Sequence, residues 1–188
     1  MNITIIYTSK YGSTRQYAQW LKEAIPSAQL YEHKEIHPQD LVDCDILLYG
    51  GSLHAGGIRG ISLLKKQATR LKGKKLILFV VGATPPSSIS MDEIQSKNAI
   101  PGLEDVEWFY LHGNMDVANM EFLDKNLMKM LRKMLIKKAP EDLADWEAAL
   151  LKNFDGKEDH LDRSAIVPIV EAVPLIHEAA APDGIDAG

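Results

Sequence analysis

Thr8-Ser9-Lys10-Tyr11-Gly12-Ser13-Thr14 decides how this chain is read. It follows Asn2-Ile3-Thr4-Ile5-Ile6-Tyr7, a short apolar run rich in β-branched residues that reads as a buried strand. It precedes residues 15–25, where Tyr17, Ala18, Leu21, Ala24 and Ile25 recur at helical spacing. The unit is a strand, a hydroxyl-rich turn and a helix start. A helix start carries unpaired backbone N–H groups and partial positive charge, so it attracts an anion. Thr8, Ser9, Ser13 and Thr14 add hydroxyl donors that turn to meet phosphate oxygens. Gly12 admits a close backbone approach or φ > 0. A plain N-cap by Ser13 or Thr14 needs only one of these hydroxyls, so the cluster points to a phosphate ester. The spacing is neither the Walker A loop nor the dinucleotide fingerprint.

Outward from this turn, the chain alternates strands and helices. Residues 28–32 form a weak second strand nearer an edge, and His33 to Asp43 reads as a connection. Residues 45–50 are a strong buried strand, 61–71 an amphipathic basic helix, 75–82 the most apolar strand and 106–112 a fifth strand. Continuous apolar strands with helices between them indicate a parallel sheet covered on both faces. Residues 164–177 supply a last helix. The expected organisation is one domain over residues 1–178, with a long insert at about 113–163 and a disordered tail at 179–188. Within the insert, Met120 to Lys138 is a helix. Leu123, Leu127, Met130, Leu131, Met134 and Leu135 build its apolar face, and Lys125, Lys129, Arg132, Lys133 and Lys137 a basic one. The plain expectation is that the apolar face packs on the body. The sharper one is peripheral contact of the 120–138 helix with an anionic membrane surface or an acidic partner.

The bulk properties exclude several classes. At 188 residues, with 46% apolar and 25% charged residues, the chain has ordinary globular composition. A net charge of −5 argues against a nucleic-acid binder. The single cysteine, Cys44, rules out an internal disulfide and fits a reducing compartment. No cationic apolar leader and no transmembrane run is visible, so a cytoplasmic protein is expected.

In open parallel sheets, ligands bind beyond the carboxyl ends of the strands at the topological switch point. The loop after the third strand, Gly50-Gly51-Ser52-Leu53-His54-Ala55-Gly56-Gly57, is rich enough in glycine to lie close against a flat ligand. Gly51, Gly56 and Gly57 are available for positive φ. After the fourth strand, Gly82-Ala83-Thr84-Pro85-Pro86 offers a stiff second wall for a ring.

The 8–14 turn resembles the FMN-phosphate loop of the flavodoxin family, T-x-[ST]-x-x-G-x-[ST], with Ser9, Gly12 and Thr14 at the motif's spacing. The resemblance covers most of residues 2–177. It implies a flavodoxin-like three-layer α/β sandwich whose five-stranded parallel sheet has the order 2-1-3-4-5. It also implies FMN, held non-covalently by Thr8, Ser9, Lys10, Tyr11, Gly12, Ser13, Thr14, Ser52, Leu53, His54, Ala55, Gly56, Thr84 and Pro85. Residues 50–56 and the Met- and Leu-rich insert helix further resemble the flavodoxin-type, quinone-dependent protoporphyrinogen dehydrogenases of heme biosynthesis. His54 and Ala55 stand where that group has Arg and Tyr, and residues 114–118 lack its basic and aromatic character. The function expected is an FMN oxidoreductase or electron carrier with a redox partner or small-molecule acceptor. Alternatives are a protoporphyrinogen dehydrogenase or a flavin-free domain that keeps the fold. No catalytic acid, base or nucleophile is identified. Asp155, Glu158, Asp159, His160 and Asp162 match no metal-ligand spacing and read as a solvated loop. Trp20 and Trp146 read as packing residues, while Trp108 is placed to reach the site.

Overall fold

The structure, a computed structural model, describes residues 1–154 and 156–174. The expected tail at 179–188, and the end of the expected last helix at 175–177, lie outside the described residues. The elements are β1 (Ile3–Thr8), α1 (Ser13–Ala24), β2 (Gln29–Glu32), α2 (Pro38–Asp43), β3 (Ile46–His54), β4 (Gly57–Ile58) and α3 (Ser62–Leu71). They continue with β5 (Lys75–Gly82), α4 (Met91–Asn98), β6 (Val106–His112), β7 (Met115–Asp116), α5 (Phe122–Leu135), α6 (Asp145–Lys152), β8 (Lys157–Glu158) and α7 (Val167–Glu171). The main sheet runs β2-β1-β3-β5-β6, all parallel. β4 is a short antiparallel arm folded back on β3, so the five long strands keep the expected order 2-1-3-4-5.

Alternation along each strand sorts side chains onto two faces. Ile3, Ile5 and Tyr7 of β1, Ile46 and Leu48 of β3, and Ile77, Phe79 and Val81 of β5 meet α1 and α7 on one face. Ile6, Leu47, Tyr49, Leu76 and Leu78 meet α2 and α3 on the other. Burial of each large apolar side chain here contributes about 1.5–3 kcal/mol. Gly50 and Gly51 belong to this packing. A Cβ on Gly50 would stand 2.1 Å from Phe79, and one on Gly51 2.3 Å from Ile58, so both are demanded by the sheet's neighbours rather than by a flat ligand.

Three helices lie outside the sequence-based expectation: α2, α4 and, within the insert, α6. The 33–43 connection contains a 3-10 turn, His33–Glu35, and then α2. α4 fills the stretch before β6 and is capped by Ser90, whose Oγ accepts from the N–H of Glu93 at 3.3 Å. The last helix is shorter than expected: a 3-10 turn, Arg163–Ile166, leads into α7.

The insert leaves the sheet after His112 and has a small core of its own. Val117, Leu135, Leu150 and Phe154 are buried in it, with Met115, Met128, Leu131 and Trp146 packed around them. β7 and β8 pair antiparallel at its base. Buried Glu147 of α6 accepts from Lys138 Nζ at 2.7 Å, which ties the end of the α5 segment to α6 and lowers the pKa of Glu147. The expected single apolar face of α5 is split. Leu131 and Leu135 turn inward, whereas Leu123, Leu127, Met130 and Met134 are 72%, 45%, 54% and 59% exposed.

Candidate functional site

Three loops at the carboxyl end of the sheet and the start of the insert enclose a cavity of about 210 Å³. Ser9, Lys10, Tyr11, Ser13 and Thr14 line it from the first loop, and Ser52, Leu53, His54 and Ala55 from the second. α1 begins at Gly12, which has φ 98°, and among the described residues no side chain caps it. The first-turn N–H groups therefore face the cavity without the usual hydroxyl partner. Ser9 Oγ accepts from the Gly12 N–H at 3.1 Å, and Ser13 Oγ from the Asn114 N–H at 3.0 Å. Both hydroxyls keep their protons for donation outward. Thr14 is buried, at 1% exposure.

Thr8 takes a different place. Alternation along β1 puts it on the face of Ile6, and its hydroxyl lies 3.0 Å from the Tyr49 hydroxyl instead of in the cavity. Tyr49 also reaches His33 Nδ1 at 3.1 Å and donates to the Arg59 carbonyl at 3.2 Å, so it anchors the loops from behind. Burial pushes its phenol up to about 12.

Residues 54–57 form a tight hairpin between β3 and β4. Its two central residues, Ala55 and Gly56, have φ 48° and 77°. Such a two-residue turn requires positive φ at both positions, which a glycine takes freely and Ala55 takes under strain. Among the described residues Gly51 and Gly57 do not have positive φ. Helix α4 holds the turn from outside: Lys97 Nζ donates to the Ala55 carbonyl at 2.7 Å, and Asn98 Nδ2 to the Gly56 carbonyl at 2.9 Å. Inside the hairpin, Ser52 Oγ is buried and has no hydrogen-bond partner among the described residues.

The insert roofs the cavity. Met120, Leu127 and Met128 supply apolar cover, and Asp124 supplies a buried carboxylate. Asp124 Oδ2 accepts from Lys10 Nζ at 2.8 Å and from the Tyr11 hydroxyl, and Asp124 Oδ1 lies 3.8 Å from His54 Nε2. Lys10 also pairs with Glu121 at 2.8 Å. The Lys10 ammonium, then the Tyr11 hydroxyl, hold the Asp124 carboxyl below its usual range, and Asp124 raises Lys10 in return. A lowered carboxylate stabilises the fold above its unfolded value of about 4, and that stabilisation is lost as pH falls through the folded value. The latch between insert and first loop is therefore an interaction of neutral pH that loosens in acid.

Gly82 and Ala83 of the expected second wall do line the cavity, whereas sequence reasoning missed this roof and, beside that wall, Val81, Gly113 and Asn114. Gly113 and Asn114 directly follow β6, so the rule that ligands sit beyond strand ends was signal enough to find them. Thr84 and Pro85 do not line this cavity but an adjoining one, together with Trp146. Trp108 packs between α3 and α4 and does not reach the site. His160 is not simply solvated: its ring stacks on His112, centroids 4.1 Å apart. Asp155 lies outside the described residues.

An uncapped helix start, the Ser9 and Ser13 hydroxyls and an unpartnered Ser52 Oγ beside an apolar roof fit a phosphate ester carrying a flat, polar-edged ring. The sequence matches the flavodoxin domain family over residues 4–144. The chain belongs to the flavodoxin family. Among solved structures it is similar to the two-electron reduced flavodoxin of Megasphaera elsdenii, at 18% identity over 59% of this chain and 83% of that one, TM-score 0.46. It is similar also to the flavodoxin, WrbA-like protein of Agrobacterium tumefaciens, at 17% identity over 65% and 87%, TM-score 0.47. A third is the rubredoxin oxygen:oxidoreductase of Desulfovibrio gigas, at 17% identity over 69% and 33%, TM-score 0.44. No curated protein matches. The family assignment rests on the domain match and makes the chain an FMN-binding, electron-transfer flavoprotein in general terms. Among the described residues, no helix is long and apolar enough to cross a membrane.

Proposed function

We propose that this protein is a cytoplasmic FMN-dependent oxidoreductase that exchanges electrons with a small-molecule partner. The observation that carries the reading is Ser52: a buried hydroxyl without a partner, on the wall of a cavity that begins at an uncapped helix start. In this reading Ser9, Ser13, Thr14 and the N-terminus of α1 hold the phosphate. Ser52 holds a polar group of the flavin. Leu53 to Ala55 form one wall, and Met120, Leu127 and Met128 keep water out. Bound FMN supplies the redox chemistry; the chain supplies position and electrostatics. The buried, unpaired Cys44 supports a reducing compartment. The test is anaerobic. FMN-loaded protein is reduced with dithionite and mixed with small-molecule acceptors, and recovery of the oxidised flavin absorbance is followed. At least one acceptor is expected to give a rate that saturates with its concentration. Rates that stay linear and match free FMN for every acceptor would remove the enzyme reading.

A second reading concerns α5. Leu123, Leu127, Met130 and Met134 form an exposed apolar stripe beside Lys129, Lys133 and Lys137. An apolar stripe flanked by lysines suits an anionic membrane surface, with the helix lying in the interface.

A further inference from the structure

The second cavity, of about 270 Å³, adjoins the flavin cavity. Ala83, Met115 and Met128 line both, so a single layer of side chains separates them. Its walls come from the β5 loop and the insert, with Pro85 on one side and Trp146 on the other. The parallel imidazoles of His112 and His160, 6° from coplanar, complete it. Lys10 and Asp124 line the first cavity; among the described residues no Lys, Arg, Asp or Glu lines the second.

We propose that the second cavity binds an uncharged, planar aromatic compound of one or two fused rings. The proposal names the class of the small-molecule partner and rests on the reading of the first cavity as the flavin site. Three features support it. Removing a charge from water without a partner costs several kcal/mol, so the apolar side chains that make up most of these described walls favour an uncharged ligand. Indole, imidazole and thioether groups favour aromatic faces and edges. The volume suits a small ring system.

The test uses FMN-loaded protein, so that the first cavity is filled, with β-naphthol as probe and β-naphthalenesulfonate as its charged counterpart. Binding is read from the indole N–H resonances of the three tryptophans, assigned with Trp146→Phe. β-Naphthol is expected to shift Trp146 and leave Trp20 and Trp108 unmoved. Ala149→Phe, which crowds the cavity, is expected to weaken binding about tenfold or more, and its neighbour Ala148→Phe to leave it unchanged. The sulfonate is expected to bind about tenfold or more weakly than β-naphthol. An unmoved Trp146, equal affinity in Ala149→Phe, or equal binding of the sulfonate overturns the proposal. Flavin content is measured on the same samples. Protein that takes no FMN overturns both readings, whereas protein that keeps FMN and fails with β-naphthol overturns this one alone.

Discussion

Ser52 presents a conflict that a ligand resolves. A buried hydroxyl without a partner costs the free protein about 1–3 kcal/mol. Ser52→Ala removes that cost from the free protein and a hydrogen bond from the bound flavin. The expected outcome has opposite signs: the urea midpoint of flavin-free protein is unchanged or higher, while FMN binding weakens about tenfold. Equal FMN affinity in the two proteins would mean that the hydroxyl faces something other than the flavin. Other single residues differed in how far the sequence disclosed them. Strand alternation already assigns Thr8 to the face of Ile6 and Tyr49, so its absence from the cavity has a local, legible cause. Asp124 has none. It is one carboxylate on a basic helix, and it meets Lys10 across 114 residues of chain, a pairing that no local pattern encodes.

At the scale of elements, α5 makes two contacts of different kinds. Its inward side, with Leu131 and Leu135, closes the core of the insert, and Asp124 latches its first turn to the phosphate loop. Its exposed stripe is left over. If that stripe meets an anionic bilayer, Met130→Glu with Met134→Glu should reduce binding to anionic vesicles about tenfold while FMN binding is kept. Rising salt should weaken the parent's binding, because exposed lysines are screened. Equal partitioning of the parent to neutral and anionic vesicles would leave the stripe with no membrane role. The helical period of this segment was plain in the sequence, but which part of its broad apolar surface turns inward depends on contacts with the rest of the insert. α4 carried its own start signal, Ser90 followed by Glu93, which the sequence-based expectation left unused.

For the whole molecule, the parallel sheet was readable because each buried strand is a continuous apolar run and the strand–turn–helix at residues 2–25 sets a helix start at the carboxyl end of the sheet. The insert was readable as an excursion of the chain, not as a roof, since Met120, Asp124 and Leu127 reach the cavity only once the insert has folded back. If the flavin is held chiefly through its phosphate, at the uncapped start of α1, a flavin without that phosphate should bind far more weakly. The direct measurement is a fluorescence titration of flavin-free protein with FMN and, separately, with riboflavin, which lacks the phosphate. Each charge-assisted hydrogen bond contributes about 1.5–3 kcal/mol, so one FMN per chain is expected, bound about a hundredfold or more tightly than riboflavin. Riboflavin binding as tightly as FMN, or no binding of either, would contradict that expectation.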